Sequence, residues 1–316
     1  GTLSGGSSFS ANTIFSGTTN LTNIINNNNY WITGGTNSIR TKFGNNIAAG
    51  YYGFAVGQSN VVGNFAAVFG KQNGASTYGV TFGSGNTSPN VFSFVAGLNQ
   101  FTNDYSRYSF IGNGRNNRIY GNSGGYQWFN SVLNGKNNTV NYVRYSHVLN
   151  GNYNKIDGVY GFIGQWNTIL NGNNNIISGI ATTNQTILGG NSNSIKGSNS
   201  YNILWGNTNE ISATTWGIML SYTSAIRNSF HSSIIGGYFN YINGSRYGLI
   251  LEGTVNTIEK FSYYNSIING RGNIIRSGGA LNPSKHNTII SGFYNVVLSG
   301  VNYSTIIGGL RISAKT

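Results

Sequence analysis

"HSSIIGGYFNYI", residues 231–242, sets Ile234 beside Ile235, follows them with Gly236 and Gly237, and closes on Asn240 and Ile242. Successive side chains of a strand point to opposite faces, so a strand with one wet face alternates apolar with polar residues. Two adjacent branched apolar residues therefore need apolar surroundings on both sides of one strand. The stretch is one copy of many. The pattern Gly-x-x-Asn-x-[Ile/Val] recurs at Gly135/Asn138, Gly151/Asn154, Gly164/Asn167, Gly172/Asn175, Gly190/Asn193, Gly206/Asn209, Gly237/Asn240, Gly253/Asn256, Gly270/Asn273 and Gly292/Asn295, and earlier at Gly34/Asn37, Gly57/Asn60 and Gly114/Asn117. Weaker copies centre on Gly17, Gly70, Gly97 and Ser221.

Copies are most often 16 or 17 residues apart, 13 near the N-terminal third, and 21 to 23 where a loop is inserted. That period is far too short for helical repeats and suits a solenoid coil of short strands and tight turns. Glycine permits a left-handed turn, and asparagine tolerates the same region while its amide bonds locally. Stacked coils would line the asparagines into a ladder. The expected fold is thus all-β, a parallel β-solenoid of roughly 16–18 short coils. Four segments are expected: N-terminal coils over 1–49, short-period coils over 50–112, long-period Asn/Ile/Gly coils over 113–309, and a tail over 310–316.

One residue of each apolar pair would fill the coil interior and its neighbour would face outward. The pairs are Val132/Leu133, Val148/Leu149, Ile169/Leu170, Ile187/Leu188, Ile203/Leu204, Ile234/Ile235, Ile250/Leu251, Ile267/Ile268, Ile289/Ile290 and Ile306/Ile307. Together they would draw an apolar stripe along the outside, which a monomer seldom leaves exposed, so self-association is expected. A third column lies six residues before the repeat glycines: Tyr51, Tyr108, Phe129, Tyr145, His231, Tyr247, Tyr264, His286 and Tyr303. It reads first as a structural ring ladder. The alternative is a surface-binding stripe, with Tyr108, Tyr145, Tyr247, Tyr264 and Tyr303 as its contacts.

Composition narrows the partners. Only 7% of residues are charged, while aromatics reach 14%, which argues against disorder. No apolar run is long enough to span a membrane as a helix, and the opening "GTLSGGSSFS" has no signal-peptide pattern. Cysteine is absent, which excludes disulfides and thiol chemistry. Eighteen basic residues face five acids, a formal charge of +13. The cations are scattered singly, so the expectation is attraction to a surface glycan or lipopolysaccharide and not a specific nucleic-acid site.

Residues 50–97 carry the short form in "GFAVG", "AAVFG", "GVTFG" and "SFVAG", which resembles the head repeats of trimeric autotransporter adhesins of the YadA-like type. The "SIIGGYFNYI" form resembles Gly-Gly-x-x-Asn-x-Ile repeats of phage and viral tail-fibre and surface proteins. The resemblance implies a left-handed β-roll, a side-by-side homotrimer, exposure on a virion or cell surface, and adhesion or shaft duty. A self-polymerising extracellular filament is the competing expectation, since an open solenoid end presents a strand edge.

Chemistry is sparse. A glycosidase needs two nearby carboxylates; of Asp104, Asp157, Glu210, Glu252 and Glu259, only Glu252 and Glu259 are close in sequence. His147, His231 and His286 fall in separate coils. The expectation is therefore no enzyme, no cofactor and no metal, with a polysaccharide-degrading tailspike as the lesser alternative. Any receptor selectivity is expected in the loops at Asn86–Asn90 and Ser277–His286.

Overall fold

In a computed structural model the chain is described over residues 31–315, except 34, 42–43, 90–91, 104, 122–126, 160–163, 180–181 and 198–200. Every regular element among the described residues is a β-strand, and the strands stack as a parallel β-solenoid. The expected coils before residue 31, Gly34, Asn90 and Asp104 lie outside the described residues. Contacts divide the chain into two compact units, Gly1–Asn116 and Asn117–Thr316.

In the first unit, Phe54–Gln58, Ala67–Lys71, Val80–Ser84 and Phe94–Leu98 pair in parallel with Ala55, Val68, Thr81 and Val95 in register. A second parallel sheet runs through Ile47–Ala48, Val61–Val62, Gly74–Ala75 and Thr87–Ser88. The one antiparallel pair among the described strands joins Trp31–Thr33 to Ile39–Thr41. The coil is short, so its interior is narrow. Only small residues fit there: Ala48, Ala55, Val62, Ala66, Val68 and Ala75 form the buried cluster.

The longer period of the second unit adds a third strand to many coils. Leu249–Leu251, Thr257–Ile258 and Ser262–Tyr263 make one coil; Ser266–Ile268, Ile274–Ile275 and Ser284–Lys285 make the next. These define a first, second and third face. Ile250, Ile267, Ile289 and Ile306 are in register on the first face. Ile242, Ile258, Ile275 and Val297 are in register on the second. All eight are buried. Each such side chain is worth about 1.5–3 kcal/mol relative to an exposed one, and a wider coil has room for it.

Corners are made by residues in the left-handed region, among them Tyr247 (φ +57°), Val255 (φ +60°) and Phe261 (φ +54°). That conformation costs a side-chain-bearing residue about 1–2 kcal/mol. Each corner N–H is bonded one coil back: Tyr247 to the Phe230 carbonyl at 2.9 Å, Val255 to Tyr238 at 2.9 Å and Phe261 to Gly244 at 3.1 Å. The stacked hydrogen bonds offset the strain. At Gly237 (φ +74°) conformation is half of the requirement. A Cβ there would overlap the carbonyl oxygen of Gly253 in the next coil, so glycine also permits the close approach of backbones.

The Gly164/Asn167 copy does not belong with the others. Gly164–Gln165 pairs with Val143–Arg144 on the third face, and Asn167 joins a second polar ladder, donating its N–H to Ser146 Oγ at 3.2 Å and accepting from Gln185 N–H at 3.2 Å. The same tetrad of residues serves both corners because both need an inward amide after a turn.

Candidate functional site

In the second unit the Gly/Asn positions, Gly164/Asn167 apart, form a continuous internal ladder, whereas Asn37 of the first unit is an exposed corner residue with φ +56° and lies outside the pattern. Asn256 N–H donates to Asn240 Oδ1 at 3.0 Å, Asn273 N–H to Asn256 Oδ1 at 3.0 Å, and Asn295 N–H to Asn273 Oδ1 at 3.0 Å. Each amide Nδ2 donates forward: Asn240 to the Gly253 carbonyl at 3.2 Å, Asn256 to Gly270 at 3.2 Å, Asn273 to Gly292 at 3.2 Å. The amides are buried. Their task is to satisfy the polar backbone inside the stack. Where the weak copy replaces Gly and Asn by Ser221 and Ser224, the chain of bonds continues, with Ser224 N–H on Asn209 Oδ1 at 2.9 Å and Asn240 N–H on Ser224 Oγ at 3.1 Å.

The apolar pairs split between inside and outside. Ile234, Ile250, Ile267, Ile289 and Ile306 point inward and are buried; Ile235, Leu251, Ile268, Ile290 and Ile307 are in register on the outer surface of the first face. Leu251 and Ile268 are half-buried, while Ile235, Ile290 and Ile307 are exposed at 38%, 36% and 75%. Upstream the outer column continues through Leu220 and Trp205. At Ile203/Leu204 the order is reversed: Leu204 is buried and Ile203 is outside, because Leu204 is in register with Ile187 and Met219. The second face is different in kind, carrying the ion pairs Lys155–Asp157 (2.6 Å), Arg227–Glu210 (2.6 Å) and Arg276–Glu259 (4.0 Å). The hydrogen bond that Arg227 donates to Glu210 raises the guanidinium pKa from its usual value.

The ring ladder runs along the corner before the first face. Tyr247 stacks on Tyr264 at 4.7 Å, Tyr264 on His286 at 4.9 Å, and His286 on Tyr303 at 4.9 Å, with planes within 5°. These spacings are those of adjacent strands. Tyr145 stacks between Phe129 (5.5 Å) and Trp166 (5.7 Å), and in the first unit Tyr108 stacks on Phe92 at 5.0 Å. Tyr108, Tyr145, Tyr247, Tyr264 and Tyr303 all have φ between +50° and +57°. Trp166, six residues before Gly172, keeps the same offset as the other members, and Trp216, stacked on His231 at 5.6 Å, lies five residues before Ser221. In the first unit the column passes through Tyr52, stacked on Phe65 at 5.1 Å, and not through Tyr51. Ring faces are taken up by neighbouring rings, so solvent meets mainly edges and hydroxyls.

Beside that ladder, on the third face, Phe230, Arg246, Tyr263 and Lys285 follow one another in register. Arg246 Cζ is 5.3 Å from the Phe230 ring and 5.7 Å from Tyr263, and Lys285 Nζ is 5.7 Å from Tyr263. The inserted loop brings Ala280 and Pro283 alongside, and the result is an open groove of about 790 Å³.

The acids do not converge on it. Asp157, Glu210 and Glu259 are engaged in the ion pairs above, and Glu252 sits at an exposed corner with φ +57°. Among the described residues no three His, Cys, Asp or Glu side chains gather into a metal-binding group. No described helix is long and apolar enough to cross a membrane. His147 Nδ1 lies 2.8 Å from Ser131 Oγ, and burial lowers its pKa from the usual histidine value.

The chain matches no family model and no curated protein.

Proposed function

We propose that the protein is a non-enzymatic structural and adhesive fibre element that associates side by side with copies of itself and works outside the cell, on a virion or cell surface. The observation that carries this reading is the outward apolar column Ile235, Leu251, Ile268, Ile290 and Ile307 on a solenoid whose second face carries the ion pairs. Apolar surface of that extent favours burial against a partner, and an identical column on a second copy matches its repeat. Three copies is the number implied by the resemblance to adhesin heads and tail fibres. The lack of enzymatic activity is supported by the engagement of three of the five acids with cations.

The test is the native mass in solution together with the particle length by electron microscopy. A discrete particle of a few parallel chains is expected. An indefinite filament would favour end-to-end polymerisation instead, and a monomer at micromolar concentration would overturn the reading. Release of short oligosaccharides from surface polysaccharide, lost on Glu252→Gln with Glu259→Gln, would establish the tailspike alternative.

A further inference from the structure

We propose that the groove between the third face and the ring ladder binds an acidic polysaccharide, a chain of sugars bearing carboxylate or sulfate groups. The proposal deepens the adhesive half of the reading above by naming its site and ligand class.

Donors dominate this groove. One wall carries Arg246 and Lys285, neither of which is in an ion pair with a carboxylate among the described residues, and no acidic side chain lines the groove. The other wall is the ladder of His231, Tyr247, Tyr264, His286 and Tyr303. An aromatic ring is negative over its face and positive at its edge. Because the faces of Tyr247, Tyr264 and His286 are stacked on their neighbours at 4.7–4.9 Å, the ladder turns positive edges and O–H and N–H donors outward. Arg246 and Lys285 are themselves held above Phe230 and Tyr263, which fixes cations on a rigid platform and lowers the ordering cost of binding. Ring edges thus recur in every coil and a cation in every second coil, Arg246 and Lys285 being separated by Tyr263, along a groove open at its length, and the occupant that fits is an extended anion with its own repeating hydroxyls.

The same geometry disfavours a single-stranded nucleic acid. Such chains bind by stacking bases on free aromatic faces. Here the internal faces of the ladder are occupied, and the rings of the third face are covered by Arg246 and Lys285. The inserted segment that supplies Ala280 and Pro283 is the place where the coil period lengthens, so the groove is a local feature of these coils and not a property of every repeat.

The experiment is calorimetric titration of the full chain at low and high salt with four probes: a heparin-derived oligosaccharide, an oligogalacturonate, neutral dextran and a single-stranded oligodeoxynucleotide. Binding of a sulfated or a uronate probe, weakening steeply with salt, is expected; the two acidic arms tell sulfate from carboxylate. Arg246→Gln with Lys285→Gln should weaken it by at least about tenfold, whereas Arg118→Gln with Lys136→Gln, which removes the same charge elsewhere, should change it by less than about threefold. The proposal is overturned if neither acidic glycan binds at low salt, if the two double variants behave alike, or if the oligonucleotide binds more tightly than either glycan. Native mass is recorded on the same samples. A discrete assembly that binds no acidic glycan sinks the groove and leaves the fibre standing, and a monomer that binds through Arg246 and Lys285 does the reverse.

Discussion

Asn256 is held between two coils: its N–H donates to Asn240 Oδ1 at 3.0 Å, and its Nδ2 donates onward to the Gly270 carbonyl at 3.2 Å. One side chain therefore closes backbone valences behind and ahead of it while buried from water. Asn256→Asp keeps the shape, removes the donor and turns a carboxylate oxygen toward the Gly270 carbonyl. A loss of about 3 kcal/mol is expected in denaturant unfolding. Burial raises that carboxyl pKa in the folded chain above the unfolded value of about 3.9, so the part of the defect due to ionisation should shrink as pH falls through the folded pKa and be gone by about pH 4, where the acid is protonated and donates again.

Thr81 is the polar member of the inward column of the first unit, between Val68 and Val95 in register. It is fully buried and its Oγ1 has no hydrogen-bond partner. Thr81→Val keeps the volume and removes the unsatisfied hydroxyl. We expect a gain of about 1 kcal/mol, read as a higher unfolding midpoint at unchanged denaturant slope. An unchanged or lower midpoint would show that the hydroxyl is satisfied.

The two members of each isoleucine pair should fail differently. Ile234, Ile267 and Ile289 are buried, and changing all three to Ser should unfold these coils, at about 3 kcal/mol or more per site. Ile235, Ile268 and Ile290 lie outside. The same change there should leave a β-rich circular dichroism spectrum and lower the native mass. If both triple variants merely unfold, without a folded species of lower mass, the outward column has no role in assembly.

His147 links stability to pH. Burial lowers its folded pKa below the unfolded value, so between the two values the unfolded chain binds more protons and stability rises with pH. The contribution is complete above the ordinary histidine value of about 6.5 and is lost as pH falls through the folded pKa. His147→Gln should flatten that part of the pH profile, measured as unfolding midpoint against pH. A profile identical to the parent's would place the titrating group elsewhere.

Turn chemistry and the two-sided apolar pair are local properties that residues 231–242 alone display, and the period follows from comparing that stretch with its copies. They determined the strand class, the parallel stacking and the asparagine ladder, because a coil of constant length maps equal spacing in sequence onto one column in space. Tertiary structure decided what spacing cannot. Leu204 and not Ile203 enters the core because pairing with Ile187 and Met219 sets its register. Asn167 joins the second ladder, and Trp166 the ring column, because Gly172 and not Gly164 is the ladder glycine of that coil: they lie five and six residues before it, as Ser146 and Tyr145 do before Gly151, and the contacts between coils choose between the two glycines. The row Phe230, Arg246, Tyr263, Lys285 keeps a constant seven residues before the repeat glycines and is legible as a column; what the fold decided is that Arg246 and Lys285 lie over the rings of Phe230 and Tyr263 and that the inserted loop brings Ala280 and Pro283 beside them, since strand pairing between coils, and not distance along the chain, chooses which side chains become neighbours.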